Sequence, residues 1–282
     1  MNAGQIIAQT LKLYDVEYFF AFTGGDQDIW LGLRDEGIKY VLPHSERSGV
    51  AMADAYSRLT GKPSFTYGQS GPGAVICVSG VTDAYWGQSA VICITSDANS
   101  AGLYRYVYQG IDDQRSLFAA ITKWNARVPN IARLPDILRT AIRMAVSGVP
   151  GPVHIDIPSE LTIFTKEDLP DVQLYAEAEC KKFPAYRIAP VAQDIERAMG
   201  IVAQARRPLI LAGGGVVISE AWDELVKFAE SLSIPVVTSA AGKSAIATTH
   251  PLAVGVTGNY SRKVANDVVA KCDTYIVIGS NL

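Results

Sequence analysis

The chain has 282 residues, of which 49% are apolar and 19% charged, and this balance excludes a disordered protein because disordered chains are poor in apolar residues. The 25 Lys and Arg residues against 28 Asp and Glu residues give a net charge of −3, which excludes the large positive field that holds nucleic acid or an anionic membrane. No stretch reaches the ~18 consecutive apolar residues of a membrane span, and the start of the chain lacks the basic and apolar regions of a signal peptide. We therefore expect a cytoplasmic protein.

Short apolar runs alternate with amphipathic stretches along residues 1–160. In chain order the pattern predicts a strand at 18–22, a helix at 27–36, a strand at 39–42, a helix at 46–59, a strand at 64–67, a helix at 72–85, a strand at 90–94, a helix at 135–146 and a strand at 152–157. Continuous apolar strands between helices are typical of a parallel sheet that is covered on both faces. We therefore predict a doubly wound α/β domain over residues 1–160.

Residues 161–190 lack this alternation, and the prolines at 170, 184 and 190 interrupt them, so we predict a linker here. The alternation then resumes with a helix at 191–204, a strand at 208–212, a helix at 220–231, a strand at 235–238, a helix at 262–270 and a strand at 275–279. This pattern predicts a second, Rossmann-like α/β domain over 191–282. Since no helix follows its last strand to cover it, we expect this domain to be truncated.

The candidate ligand-binding residues follow the predicted strands, because open parallel sheets bind ligands beyond the carboxyl ends of their strands. Gly24-Gly25 follows the first strand, Glu46 opens the helix after the second, and Gly71-Pro72-Gly73 follows the third. Each also has a structural explanation: a tight turn, an acid favoured by the helix dipole, and a proline in the first turn of a helix. Gly213-Gly214-Gly215 lacks the full G-x-G-x-x-G spacing of a dinucleotide site.

Taken in order, Gly24-Gly25, the segment from Glu46 to Pro63, and Ser70-Gly71-Pro72-Gly73-Ala74 resemble the thiamine-diphosphate (ThDP) enzymes. Among these, the acetolactate synthases and related 2-oxoacid decarboxylases are the most similar. The resemblance covers nearly the whole chain and continues through a series of further motifs: Gln109, Ile121-Thr122-Lys123, the segment from Gly148 to Pro158, Arg207-Pro208, Gly213-Gly214-Gly215, Ile234-Pro235-Val236, His250-Pro251-Leu252 and Cys272-Asp273.

The resemblance implies an enzyme that acts on a 2-oxo acid as a decarboxylase or carboligase. It implies that Glu46 hydrogen-bonds N1′ of the cofactor's aminopyrimidine ring and thereby activates the cofactor, and that Gln109 lies near the reacting substrate. The residues that it places at the cofactor are Gly24, Gly25, Glu46, Gly71, Pro72 and Gly73. Two positions depart from the family pattern: Gly110 replaces the usual acidic residue after Gln109, and His44-Ser45 replaces the usual Arg-His before Glu46.

Family members hold the cofactor's diphosphate and Mg²⁺ through a Gly-Asp-Gly…Asn-Asn motif in a third, C-terminal domain, and this sequence contains no Gly-Asp-Gly. We therefore expect no metal ligands on this chain, and no activity without a C-terminal domain on a missing part of the protein or on another chain. The family also implies a homodimer or homotetramer, and a middle domain that in some members binds FAD or an adenine nucleotide.

Two other hypotheses stay open. The missing metal–diphosphate motif is also typical of a non-catalytic binding or assembly module that retains the fold of the family. A nucleotide-dependent enzyme that uses Gly213-Gly214-Gly215 ranks last, because the sequence shows no complete phosphate loop there.

Overall fold

The structure is a computed structural model that describes residues 1–163 and 172–281. It divides into two compact units, Met1–Tyr186 and Arg187–Leu282. The middle of the predicted linker, residues 164–171, lies outside the described residues.

The first unit is a six-stranded parallel sheet with helices on both faces, which confirms the predicted doubly wound α/β fold. The strand order is β2-β1-β3-β4-β6-β5. Its elements are α1 (Ala3–Leu13), β1 (Tyr18–Ala21), α2 (Gln27–Asp35), β2 (Lys39–Val41), α3 (Glu46–Thr60), β3 (Ser64–Gly68), α4 (Pro72–Trp86), β4 (Val91–Asp97), β5 (Trp124–Arg127), α5 (Leu134–Val146) and β6 (Val153–Pro158).

Alternating residues of the central strands enter two different hydrophobic cores. Phe19 of β1 packs in one core with residues of α1, α2 and α5, whereas its neighbour Phe20 packs in the other core with Val50 of α3 and Val81 of α4. Successive strand residues point to opposite faces of a sheet, so both faces of this sheet are covered. This is the physical reason why the central strands read as continuous apolar runs.

The order of the strands creates a switch point between β1 and β3. From β1 the chain crosses to β2 on one side of the sheet, whereas β3, β4 and β6 lie on the other side. Crevices at such switch points are the usual ligand sites of open α/β sheets. The segments after β1 and β3, which contain Gly24-Gly25 and Gly71-Pro72-Gly73, lie at this point.

Two elements of the first unit were not predicted from the sequence. Helix α1 is capped by Asn2, whose side chain and that of Gln5 bond each other's backbone N–H in a capping box. Strand β5 is an edge strand in which all four residues are half-buried. Within the stretch predicted as a linker, residues 172–186 belong to the first unit, because Cys180 is buried in its core and Val172, Leu174 and Phe183 pack against that core.

The second unit is a four-stranded parallel sheet with the strand order β10-β7-β8-β9. Its elements are α6 (Ala192–Gln204), β7 (Pro208–Ala212), α7 (Gly214–Ile218), α8 (Trp222–Leu232), β8 (Val236–Thr238), β9 (Ala253–Val256), α9 (Lys263–Val269) and β10 (Thr274–Ile278). Helix α7 and strand β9 were not predicted. In the described part of the chain, no helix combines the length and the apolar character that crossing a bilayer requires.

Candidate functional site

Glu46 is a buried carboxylate at the first position of α3. Ser45 precedes it as N-cap, and its side chain accepts a hydrogen bond from the Ser48 backbone N–H. The Glu46 side chain is only 7% exposed, and among the described residues none donates a hydrogen bond to its carboxylate. The N-terminal end of α3 favours a negative charge at this position. The carboxylate therefore keeps its full capacity to accept a hydrogen bond from a ligand.

The backbone turn at residues 71–73, hereafter the glycine turn, lies against Glu46. A Cβ atom added to Gly73 would lie 3.0 Å from Oε1 of Glu46, so only a residue without a side chain leaves space between the two. Pro72 is the first residue of α4, where its missing N–H costs no intrahelical hydrogen bond. The structure thus brings Glu46, Pro72 and Gly73 together.

Gln109 lies over the other end of the glycine turn. Its carbonyl oxygen accepts a hydrogen bond from the Ser70 hydroxyl at 3.0 Å, and its side-chain Oε1 accepts one from Gln69 Nε2 at 3.2 Å. A Cβ atom added to Gly71 would lie 2.2 Å from the same carbonyl oxygen. The catalytic candidates Glu46 and Gln109 therefore flank one turn, and the amide of Gln109 adds a polar group beside it.

Gly24 and Gly25 contact a different group of residues. A Cβ atom on Gly24 would lie 2.5 Å from the Tyr67 hydroxyl, and the Gly24 carbonyl accepts a hydrogen bond from Trp30 Nε1 at 3.2 Å. The atom nearest to a Cβ on Gly25 is in the side chain of Ile163, at 3.7 Å. Both glycines follow β1 at the switch point of the sheet, and the first of them is required by the close approach of Tyr67.

Asp26, directly after these glycines, is a buried carboxylate that the sequence did not single out. It accepts hydrogen bonds from the hydroxyls of Tyr67, Ser96 and Thr162. Burial raises the pKa of Asp26, and the three hydroxyls offset part of that rise. Because the hydroxyl groups come from β3, β4 and the turn after β6, Asp26 ties several strand ends together.

Gln114 is a second residue that the sequence did not reveal. It is 2% exposed, and its Oε1 accepts a hydrogen bond from the Gly71 backbone N–H at 2.7 Å. Its Nε2 donates to the Ser96 carbonyl at 2.7 Å and to Asp156 Oδ1 at 2.8 Å. Gln114 is the first residue of a short 3₁₀ helix, which gives no periodic signal, and the sequence motifs Gln109 and Ile121-Thr122-Lys123 flank it without including it.

The described residues contain no group of three or more His, Cys, Asp or Glu side chains that could hold a metal ion. In the second unit, the backbone N–H groups of Gly213 and Gly215 are already hydrogen-bonded. Gly213 donates to the Ile278 carbonyl and Gly215 to the Gly279 carbonyl, each at 2.8 Å. A Cβ atom on Gly213 would lie 2.2 Å from the Gly279 carbonyl oxygen. These glycines serve the close packing of two strand ends, and their N–H groups do not form a phosphate loop.

The chain matches two family models. Residues 1–117 match the model "Thiamine pyrophosphate enzyme, N-terminal TPP binding domain", and residues 195–282 match "Thiamine pyrophosphate enzyme, central domain". Thiamine pyrophosphate (TPP) is another name for ThDP.

Curated relatives have the same affiliation. The chain is 34% identical to a probable acetolactate synthase large subunit of Methanocaldococcus jannaschii, over 99% of this chain and 47% of that protein. It is 30% identical to the acetolactate synthase isozyme 2 large subunit of Escherichia coli, over 99% of this chain and 50% of that protein. It is 30% identical to the sulfoacetaldehyde acetyltransferase of Alcaligenes xylosoxydans xylosoxydans, over 87% of this chain and 39% of that protein.

The chain therefore spans about half of the length of the relatives that it matches. Its two units correspond in order to the N-terminal and central domains of the two family models. The chain belongs to the thiamine pyrophosphate enzymes and resembles the acetolactate synthases.

Proposed function

We propose that this chain supplies the aminopyrimidine-binding side of a ThDP-dependent decarboxylase or carboligase that acts on a 2-oxo acid. The observation that carries this proposal is the buried Glu46 carboxylate, which accepts no hydrogen bond from the described residues and lies against the glycine turn. A carboxylate buried without a partner is unfavourable in a protein that has no ligand for it. The aminopyrimidine ring of ThDP, with a nitrogen that donates a hydrogen bond when protonated, fits such a group.

When bound, ThDP supplies a carbon nucleophile and stores the electrons that remain after loss of CO₂. Glu46 would bind the ring nitrogen N1′ and hold a proton at that atom, the role for which its free hydrogen-bond acceptors are suited. The N-terminal end of α3 favours the negative charge of Glu46 between turnovers. Gly71 and Gly73 let the backbone of the turn approach the ring closely, and the Gln109 amide is placed to orient the substrate.

The remaining parts of the machinery belong to other segments in this proposal. A C-terminal domain, on the rest of the protein or on another chain, binds the diphosphate and Mg²⁺, and the active enzyme is a homodimer or homotetramer in the cytoplasm. Without that domain the chain is inactive. The acetolactate synthases among the relatives favour a small 2-oxo acid such as pyruvate as the first substrate.

The test compares Glu46→Gln with wild type in the full-length protein that contains this chain. Glutamine keeps the shape of the side chain but cannot hold the proton at N1′, so we expect the rate of pyruvate consumption to fall by about 10²–10⁴-fold, the usual contribution of a general acid–base group. Glu196→Gln, on the exposed surface of α6, is the matched control and should retain the wild-type rate.

A binding measurement separates this proposal from a non-catalytic module. Calorimetric titration of the wild-type protein with ThDP and Mg²⁺ should show saturable binding. Equal rates for wild type and Glu46→Gln would remove the catalytic role of Glu46, and absence of ThDP binding by the wild type would refute the proposed function as a whole.

A further inference from the structure

The glycine turn is connected to the interior of the sheet through one buried side chain. Gln114 accepts a hydrogen bond from the Gly71 N–H with one end of its amide and donates to Ser96 and Asp156 with the other. The Gly71 N–H stands at the N-terminal end of α4, where backbone N–H groups have no partner within the helix. Gln114 therefore satisfies a buried donor that the helix itself leaves unpaired.

The surroundings of Gln114 admit only one orientation of its amide group. The Gly71 N–H can only donate, so it must meet the amide oxygen. The Ser96 carbonyl and the Asp156 carboxylate can only accept, so they must meet the amide NH₂ group. A side chain of this length, with an acceptor and donors at one end, is therefore required to join the turn to both acceptors.

The network continues behind Gln114 and holds its partner in place. The Thr95 hydroxyl donates to the same Asp156 oxygen, and His154 Nε2 lies 2.7 Å from the Thr95 hydroxyl. The His154 ring stacks on Phe118 with a centroid distance of 3.7 Å. Thr95, His154 and Asp156 are all at most 1% exposed, so the position of Gln114 is set by rigid strands rather than by a surface loop.

We propose that Gln114 is a positioning residue for the cofactor: it holds the glycine turn in the conformation in which its backbone and Glu46 receive the pyrimidine ring. This inference rests on the proposed function above. Gly71 has φ +65° and ψ −106°, its N–H is held by Gln114, and a Cβ added to the next glycine of the turn, Gly73, would lie 3.0 Å from Glu46 Oε1. Loss of Gln114 therefore changes the ThDP site without removing any group that touches ThDP.

The first readout needs no cofactor. Hydrogen exchange in the full-length apoprotein, measured on peptides covering residues 69–73, reports on the Gly71 N–H. Gln114→Met keeps the length of the side chain but removes both the acceptor and the donors, so exchange in this segment should accelerate by about tenfold, as expected for the loss of one net hydrogen bond. The Kd for ThDP should rise by about tenfold for the same reason.

Two controls separate positioning from general loss of stability. Leu138→Ala creates a cavity in the core that contains α5 and should lower the melting temperature without changing exchange at residues 69–73 or the Kd for ThDP. Gln193→Met makes the same chemical change on the exposed surface of α6, so exchange at residues 69–73 and the Kd for ThDP should both stay at their wild-type values.

A second variant keeps the test valid if Gln114→Met does not fold. Gln114→Glu retains the acceptor for Gly71 but turns a carboxyl oxygen towards Asp156. This change removes the donors to the Ser96 carbonyl and to Asp156 Oδ1 and sets acceptor against acceptor, so the Kd of Gln114→Glu for ThDP should exceed the wild-type Kd.

The outcomes distinguish this inference from the function on which it rests. Faster exchange at residues 69–73 together with a higher Kd in Gln114→Met, or a higher Kd in Gln114→Glu than in wild type, supports it. An unchanged exchange rate in Gln114→Met, or an unchanged Kd in both variants, overturns this inference alone, provided that wild type binds ThDP. A wild-type protein that binds no ThDP overturns the proposed function and this inference with it.

Discussion

Replacing Gly71 with alanine perturbs the glycine turn at the point where it meets Gln109. An added Cβ atom would lie 2.2 Å from the Gln109 carbonyl oxygen, whereas real contacts of this kind are essentially never shorter than 3.0 Å. The segment that carries Gln109, or the turn itself, must move by roughly 1 Å to remove the clash. The positive φ of +65° adds a backbone penalty that is independent of any neighbour.

Gly61 provides a control for the positive φ alone. Its φ is +68° and no atom lies within 4 Å of an added Cβ, but its ψ is 13°, whereas the ψ of Gly71 is −106°. Gly61→Ala should therefore cost only the penalty of a left-handed residue, about 1–2 kcal/mol of the free energy of unfolding. Gly71→Ala should cost a further ~1–3 kcal/mol, the usual range for overpacking a well-packed site, and its less favourable ψ adds to that cost.

Urea denaturation of the two variants and wild type measures this difference, and pyruvate consumption by the full-length protein measures its effect on the site. We expect Gly71→Ala to lower the rate because Gln109 is displaced, and Gly61→Ala to retain it. Equal free energies of unfolding for the two variants would refute the reasoning, because the contact with Gln109 would then carry no cost.

Three further predictions concern stability. Gly4→Ala should destabilise the protein severely, since its Cβ would lie 1.8 Å from a carbonyl oxygen of α2, whereas Gly200→Ala has open space and should raise the melting temperature slightly. Because the pKa of Asp26 is raised in the folded state, the stability that its carboxyl group contributes is fully present at low pH and declines as pH rises above the unfolded pKa of about 4. Asp26→Asn should therefore gain stability relative to wild type as pH rises from about 4, and a constant difference in melting temperature would contradict this. Glu46→Gln should not lower the melting temperature of the apoprotein, because it removes a buried charge that accepts no hydrogen bond from the described residues, whereas Asp97→Asn should lower it by breaking the ion pair with Arg127 of β5; equal losses would make Glu46 a structural residue.

The central strands could be predicted from the sequence because burial on both faces makes them continuously apolar. Strands β3 and β4 are buried at every residue, and their positions agree with the prediction to within a few residues. The edge strands β5 and β9 could not be found in this way, because all their residues are half-buried and side-chain composition is mixed at a sheet edge. Strand β9 also contains Gly255 at φ +120° next to a shift of register, which interrupts any alternation.

The residues of the candidate site could be located from the sequence where local sequence determines the geometry. Glu46 at a helix start and the glycine turn before α4 are positions that a strand–turn–helix pattern locates directly. Gln114 is different, because its role depends on Gly71, Ser96 and Asp156, which are brought to it from other strand ends by the folded sheet. A buried polar residue acquires its function from partners that are distant in sequence, and no pattern along the chain contains them.

The buried carboxylates of the first unit differ in how they are satisfied, and this difference identifies the one that is free to act. Asp26 accepts hydrogen bonds from three hydroxyl groups, Asp97 pairs with Arg127, and Oδ1 of Asp156 accepts from the Gln114 amide and the Thr95 hydroxyl, although Oδ2 of Asp156 is buried without a partner. Burying a carboxylate is costly unless such partners compensate for the lost water, so the hydrogen bonds of these three groups hold strand ends together. Glu46 receives no hydrogen bond from the described residues and faces the glycine turn instead. Its capacity to accept hydrogen bonds is therefore available to what binds beside the turn, which is why we propose Glu46 for the chemistry and the aspartates for the architecture.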